Sequence, residues 1–182
     1  MEKYGIYKKD AYEEVLSGYD AVQMVNFTNG LNRIMIESVK SADAQLAIRA
    51  FLEGIGKLFE ADHAFIFEIN GRGDYSASYE YAAPDFPSYK NKLQDLPEDR
   101  LGHDWFDAFR ADHGFMVTDM KGYAQHTPEM YQKFLKYHVD RIVACPIIYG
   151  GSLHGFITLN NGPREARCGC GGYRSCALFP LF

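Results

Sequence analysis

Two carboxylates set in otherwise apolar or aromatic strand candidates, Glu68 and Glu80, are the first residues whose type and placement could do chemistry. A carboxylate buried in such a run needs a partner, because the bare charge is costly to desolvate. A basic group on a bound ligand would supply one. So would Arg141, and the pair would then be structural; both readings stand. Trp105, Phe106 and Phe109 recur at helical spacing and could close over a flat ligand or fill a core. Phe67, Tyr79 and Cys145 complete the candidate ligand-binding set. This is binding chemistry, and no catalytic residue is assigned.

The remaining reactive side chains make weaker patterns. Cys168-Gly169-Cys170 and Cys176 offer three thiolates, but structural zinc takes four ligands with paired Cys-x2–4-Cys spacing. Here the pair is one residue apart, and the fourth ligand is missing unless His154 bends in. No metal is assigned, and disulfides are not expected in a reducing compartment. His63, His103, His113, His126, His138 and His154 are scattered, with no i, i+4 pair of a metal site. One His would suffice for a haem; cap or surface roles are the ordinary reading, and the cofactor is left unknown. Arg72-Gly73-Asp74 spells an adhesion tripeptide, yet it lies in a turn where Gly and Asp serve the backbone.

These residues must be held by a packed domain. The 182 residues suffice for one core and a flanking helix. With 13 Phe and 13 Tyr, many rings must line either a core or a pocket. A net charge of −5 argues against a nucleic-acid partner, which normally meets a basic face. No run approaches the roughly 18 apolar residues of a membrane span, and the N-terminus lacks the apolar centre of a signal peptide. The expectation is a soluble, cytoplasmic chain with no membrane partner.

Hydrophobic spacing orders the elements. Tyr12, Val15, Leu16, Tyr19 and Val22, then Leu31, Ile34, Met35 and Val39, predict helix over 10–39 with a break near Gly30. This stripe could pair with its copy in a homodimer or pack on its own sheet. Ser41 or Asp43 can cap a second helix running through Phe59. Ala64–Ile69 reads as a covered strand, Asn70–Asp74 as a turn and Tyr75–Tyr81 as its partner. A loop from Pro84 to Pro97 leads to a helix over Glu98–His113, then a short strand at Phe115–Thr118. Thr127-Pro128-Glu129 starts a helix to about His138. Arg141–Ile148 and Leu153–Asn160 form a hairpin across Gly150-Gly151. The fold class is α+β, around an antiparallel sheet.

Four phrases in this order resemble a GAF domain of the kind found in bacterial GGDEF signalling proteins: His63-Ala64-Phe65-Ile66-Phe67-Glu68, Ser78-Tyr79-Glu80-Tyr81, Leu93-Gln94-Asp95-Leu96-Pro97 ahead of the Trp105-Phe106 helix, and the final hairpin through Gly155-Phe156-Ile157. The resemblance covers roughly residues 30–161. It implies a GAF/profilin-like fold with a five- to six-stranded sheet, core order 2-1-5-4-3, and helices on both faces. The N-terminal helices would cover one face. Segment 82–113 and the helix at 128–138 would roof a pocket on the other. It divides the chain into a helical segment (1–40), a sensory domain (41–161) and an atypical tail (162–182) where the family's closing helix is expected.

The implied function is a regulatory, small-molecule-sensing domain without its own catalytic output, since no Gly-Gly-Asp/Glu-Glu-Phe signature occurs. One alternative is a dimerisation module whose pocket is filled by its own side chains. Another is a redox enzyme of the methionine sulfoxide reductase type, which needs a low-pKa Cys with a resolving partner. A bilin-binding member would want a Cys-His pair beside the pocket, and none is present.

Overall fold

The structure is a computed structural model that describes residues 6, 7 and 21–161, apart from 112, 118 and 119. Tyr12, Val15, Leu16 and Tyr19 of the expected N-terminal stripe lie outside the described residues. So do the three tail cysteines and the question of what replaces a closing helix.

Two helices, α1 (Ala21–Val39) and α2 (Ala44–Leu58), precede the main strands. The expected break at Gly30 does not occur, and α1 runs straight through it. A Cβ at Gly30 would meet Leu58 Cδ1 at 3.0 Å, so this glycine serves close helix packing. Asp43 caps α2, its Oδ1 accepting from the amides of Gln45 (2.8 Å) and Leu46 (3.1 Å).

The sheet comprises β1 (Ile6–Tyr7), β2 (His63–Ile69), β3 (Tyr75–Ala82), β4 (Gly114–Val117), β5 (Ile142–Tyr149) and β6 (Ser152–Asn160). The order is β1-β4-β5-β6-β2-β3, antiparallel throughout. Setting aside the unforeseen β1, this is the expected 2-1-5-4-3 order. Gly150 and Gly151, at φ +59° and +77°, turn the β5–β6 hairpin as a primed turn requires.

Between β3 and β5 lie a 3-10 turn (Lys90–Lys92), α3 (Glu98–Leu101), α4 (His103–Arg110), α5 (Met120–His126) and α6 (Pro128–Lys136). The single helix expected over Glu98–His113 is two. Gly102, at φ +104°, turns the chain between them in a conformation that side chains resist. Helix α5 was not foreseen. Helix α6 starts as expected and stops two residues before His138, which itself takes φ +55°.

Strand alternation divides the core in two. Ala64, Ile66, Ile157 and Leu159 face α1 and α2, packing on Leu52, Ile55 and Phe59. Phe65, Phe67, Ala144 and Phe156 point the other way, into a layer of rings with Trp105, Phe106, Phe109, Phe115, Tyr123 and Phe134. Between Ile66/Tyr79 and Phe67/Ala77 the β2–β3 register shifts, so Ser78 is a bulge. It swaps the faces of β3. Tyr75 and Ala77 belong to the ring layer, while Tyr79 and Tyr81 pack towards the helices.

Candidate functional site

The ring layer does not close over the sheet. It leaves a cavity of about 200 Å³ between the strands and a roof made by segment 89–105 and α6. Phe65 and Phe67 of β2, Ile142 of β5 and Phe156, Thr158 and Asn160 of β6 form the floor. Tyr89, Leu93, Leu96, Leu101 and Trp105 contribute the roof, with Met130 and Phe134 from α6.

The roof is placed by hydrogen bonds to an otherwise open sheet edge. Strand β3 ends the sheet, and the Leu93–Leu96 segment runs along its free side. The Ala77 amide donates to the Leu93 carbonyl at 2.8 Å, and Tyr75 and Leu96 exchange two bonds of 2.8 Å. This covers the edge and turns both leucines over the cavity. Gln94 Nε2 adds a bond to the Ala77 carbonyl at 3.0 Å. Asp95 then receives Asn70 Nδ2 (3.0 Å) and Arg72 Nη2 (2.9 Å). Arg72 of the adhesion-like tripeptide is therefore a clamp between turn and roof.

Of the residues expected at the pocket, Phe67 and Trp105 line it. Phe106 and Phe109 are fully buried in the ring layer, where they back the site without bordering it. Glu80 does lie on the roofed side, but its carboxylate accepts from the amides of Tyr89 (2.7 Å) and Lys90 (3.2 Å) and from the Ser88 hydroxyl. It anchors the start of the roof, and Arg141 is not its partner. Glu68 falls at the exposed end of β2 on the α1/α2 side, so no buried partner is required. Tyr79 is on that side too, with the Arg49 guanidinium 5.8 Å from its ring centre. Cys145 pairs across the sheet with Ile157, which places it on the face away from the cavity. Burial pushes its thiol up to about 12, the opposite of what a redox cysteine needs.

Arg141 lies beside the cavity in a more polar depression of about 590 Å³, which shares Tyr89, Tyr137 and Val139 with it. The polar groups there are largely committed to the fold. Asn161 Oδ1 accepts from the amides of Asp140 (2.6 Å) and Arg141 (3.1 Å), and its Nδ2 donates to Asp62 (3.0 Å) and to the His138 carbonyl (2.6 Å). His63 Nε2 lies 2.9 Å from the Pro87 carbonyl, tying β2 to the loop beneath the roof.

Sequence reasoning missed the rim. Lys92, Arg100, Lys133 and Lys136 border the apolar cavity. In sequence they are separate bases, Lys92 before Leu93, Arg100 before Leu101, and Lys133 and Lys136 three apart on α6, and only the fold sets them around one opening. It also missed Asn160, whose buried Oδ1 has no hydrogen-bond partner and whose side chain lines the floor. Among the described residues, no group of His, Cys, Asp and Glu is arranged to hold a metal.

No protein-family model matches the chain, and no curated protein matches it. Its fold is that of GAF domains. The chromophore-binding domain of a Stigmatella aurantiaca phytochrome superposes with TM-score 0.65 at 14% identity, over 81% of this chain and 55% of that one. A phycoerythrobilin-bound GAF domain from a cyanobacterial phytochrome gives 0.60 at 16%, covering 76% and 83%. A far-red-absorbing dark state with bound biliverdin IXα gives 0.60 at 15%, covering 75% and 85%.

Proposed function

We propose that this chain is a regulatory domain that binds a small molecule between its sheet and its roof, in a cytoplasmic bacterial signalling protein of the GGDEF-associated kind, with no catalysis of its own. The cavity itself carries this reading.

The ring layer could have packed shut, as the opposite face does; instead it keeps a largely apolar space with a polar acceptor in its floor. That space speaks against a pocket filled by its own side chains. The raised thiol of Cys145, on the wrong face, speaks against the redox enzyme.

The apolar cavity argues for a ligand smaller than the bilins named for the similar structures. An engineered cavity of about 150 Å³ accommodates a single benzene ring, so the apolar cavity of about 200 Å³ matches one substituted ring and not four linked pyrroles. Among the described residues, no cysteine borders the cavity to tether one. The ligand is a smaller molecule.

Assembly belongs to the same proposal. Val22, Val25, Ile36 and Val39 are exposed on α1. With Asn29 and Asn32, also exposed, they follow the alternating three- and four-residue spacing of a coiled-coil seam. This supports a two-fold contact between copies of the chain. Light scattering at tens of micromolar, about the range in which a weak dimer persists, should give the mass of a dimer; a clean monomer would count against it.

Ligand binding is tested by native mass spectrometry of the protein as purified, followed by titration of candidate ligands against the fluorescence of Trp105, the sole tryptophan. Retained mass, or a saturable change in Trp105 emission, is expected. A protein that carries nothing and responds to no small molecule would end the sensory reading.

A further inference from the structure

The rim of the cavity has a charge pattern that narrows the ligand. The chain holds 24 acidic against 19 basic residues, yet the cavity is bordered by four bases and no acid. Lys92, Arg100, Lys133 and Lys136 form no ion pair with any described residue. Lys92 and Lys136 instead lie 5.4 and 5.5 Å from the ring centres of Tyr89 and Tyr137. Lys133 Nζ donates to the Arg100 backbone carbonyl at 2.6 Å, which ties α6 to the roof. Like charges gathered beside an apolar space repel one another, and an anion entering there relieves that repulsion while gaining charge-assisted hydrogen bonds.

Two further observations bear on the rest of the molecule. The walls are Phe65, Phe67, Trp105, Phe134 and Phe156, and the volume suits one substituted ring. In the floor, Asn160 is 8% exposed and its Oδ1 lacks a donor. A buried acceptor without a partner is costly, and a hydroxyl or amine on the ligand would satisfy it.

We infer that the site takes a compact, single-ring aromatic carboxylate, its ring among the cavity aromatics, its carboxylate at the Lys92/Arg100/Lys133/Lys136 rim and a hydrogen-bond donor on the ring reaching Asn160. This rests on the binding function proposed above and adds the chemical class.

The test uses the full chain and three probes of one size: 4-hydroxybenzoate, 4-hydroxybenzamide and 4-hydroxybenzylamine, each titrated against Trp105 fluorescence. The carboxylate should bind at least about tenfold tighter than the neutral amide, and the amine weakest. Added salt should narrow the gap. Arg100→Gln combined with Lys92→Met should narrow the carboxylate's preference over the amide, Lys133 and Lys136 being left in place; an undiminished preference would overturn the rim assignment. Benzoate, lacking the hydroxyl, should bind more weakly than 4-hydroxybenzoate to the natural chain and equally to Asn160→Leu. If the amide or the amine binds as tightly as the carboxylate, the anion assignment is overturned and the binding reading survives. If none of the probes alters Trp105 up to about 10 mM, the weak limit of specific recognition, the assignment fails; a different molecule retained in native mass spectrometry would then show that the binding function stands without it.

Discussion

The two faces of one sheet are built by opposite means. Towards α1 and α2 the contacts are close and depend on missing side chains. A Cβ at Gly54 would lie 2.8 Å from Ile34 Cγ2, and one at Gly56 only 2.2 Å from Tyr81 Cδ1. Helix meets helix, and helix meets strand, with no room between them. On the other face the spacing is set by bulk. Phe156 is at the centre, with the rings of Phe67 (4.7 Å), Phe109 (5.4 Å) and Tyr75 (5.5 Å) around it, and a Cβ at Gly102 in the roof would meet nothing nearer than 3.5 Å. Rigid rings tile imperfectly against a twisted sheet, so the roofed face can keep a cavity that the helix face cannot. Binding and scaffold are thereby assigned to separate sides of the same strands.

The comparison breaks most severely at Phe156. Phe156→Ala removes the shared centre of the ring layer and should cost about 3–5 kcal/mol, measured by urea denaturation. A loss under about 1 kcal/mol would mean the rings repack freely and the cavity has no fixed shape.

Gly56→Ala attacks the other face. It should cost about 1–3 kcal/mol through the clash with Tyr81, yet leave the Trp105 response to a bound probe intact once folded protein is compared. Equal damage to probe binding would show the faces to be coupled.

Glu80→Gln is expected to be milder, about 1 kcal/mol overall, because a neutral amide accepts weaker hydrogen bonds than a carboxylate. Its effect should concentrate in the roof. Hydrogen exchange at the Tyr89 and Lys90 amides should accelerate more than exchange in β5 or β6, and uniform acceleration would argue against a locally anchored roof.

The smallest effect at neutral pH belongs to Cys145. Its folded thiol is raised to about 12 by burial, so its contribution to stability is complete below the ordinary thiol value and is lost as pH rises from there towards 12. At pH 8, peptide mapping after iodoacetamide should find native Cys145 labelled on the order of 100-fold more slowly than in urea. Rapid native labelling would reopen the redox reading.

Much of the architecture was legible because it repeats. The near-continuous apolar run of Ala64–Ile69, the helical spacing of Trp105, Phe106 and Phe109, and the glycine pair before Ser152 are local signals, and the elements they predict are present. The helix break at Gly30 was misread because a glycine needed for a neighbour looks, in sequence, like one needed for a turn.

The candidate site was legible only in part. Phe67 and Trp105 could be placed near a pocket from the period of their own elements. Tyr79 and Glu80 could not, because the one-residue bulge at Ser78 reverses which of them faces the roof, and a bulge leaves no mark in alternating residues. The cationic rim was out of reach for a related reason. Lys92 and Arg100 come from the roof and Lys133 and Lys136 from α6, so their common opening exists only once the roof is bonded along the β3 edge and α6 is laid against it. Sequence by itself determined the periodic elements and their order. Tertiary structure decided which side chains share a space, because that depends on register and on contacts between segments distant in the chain.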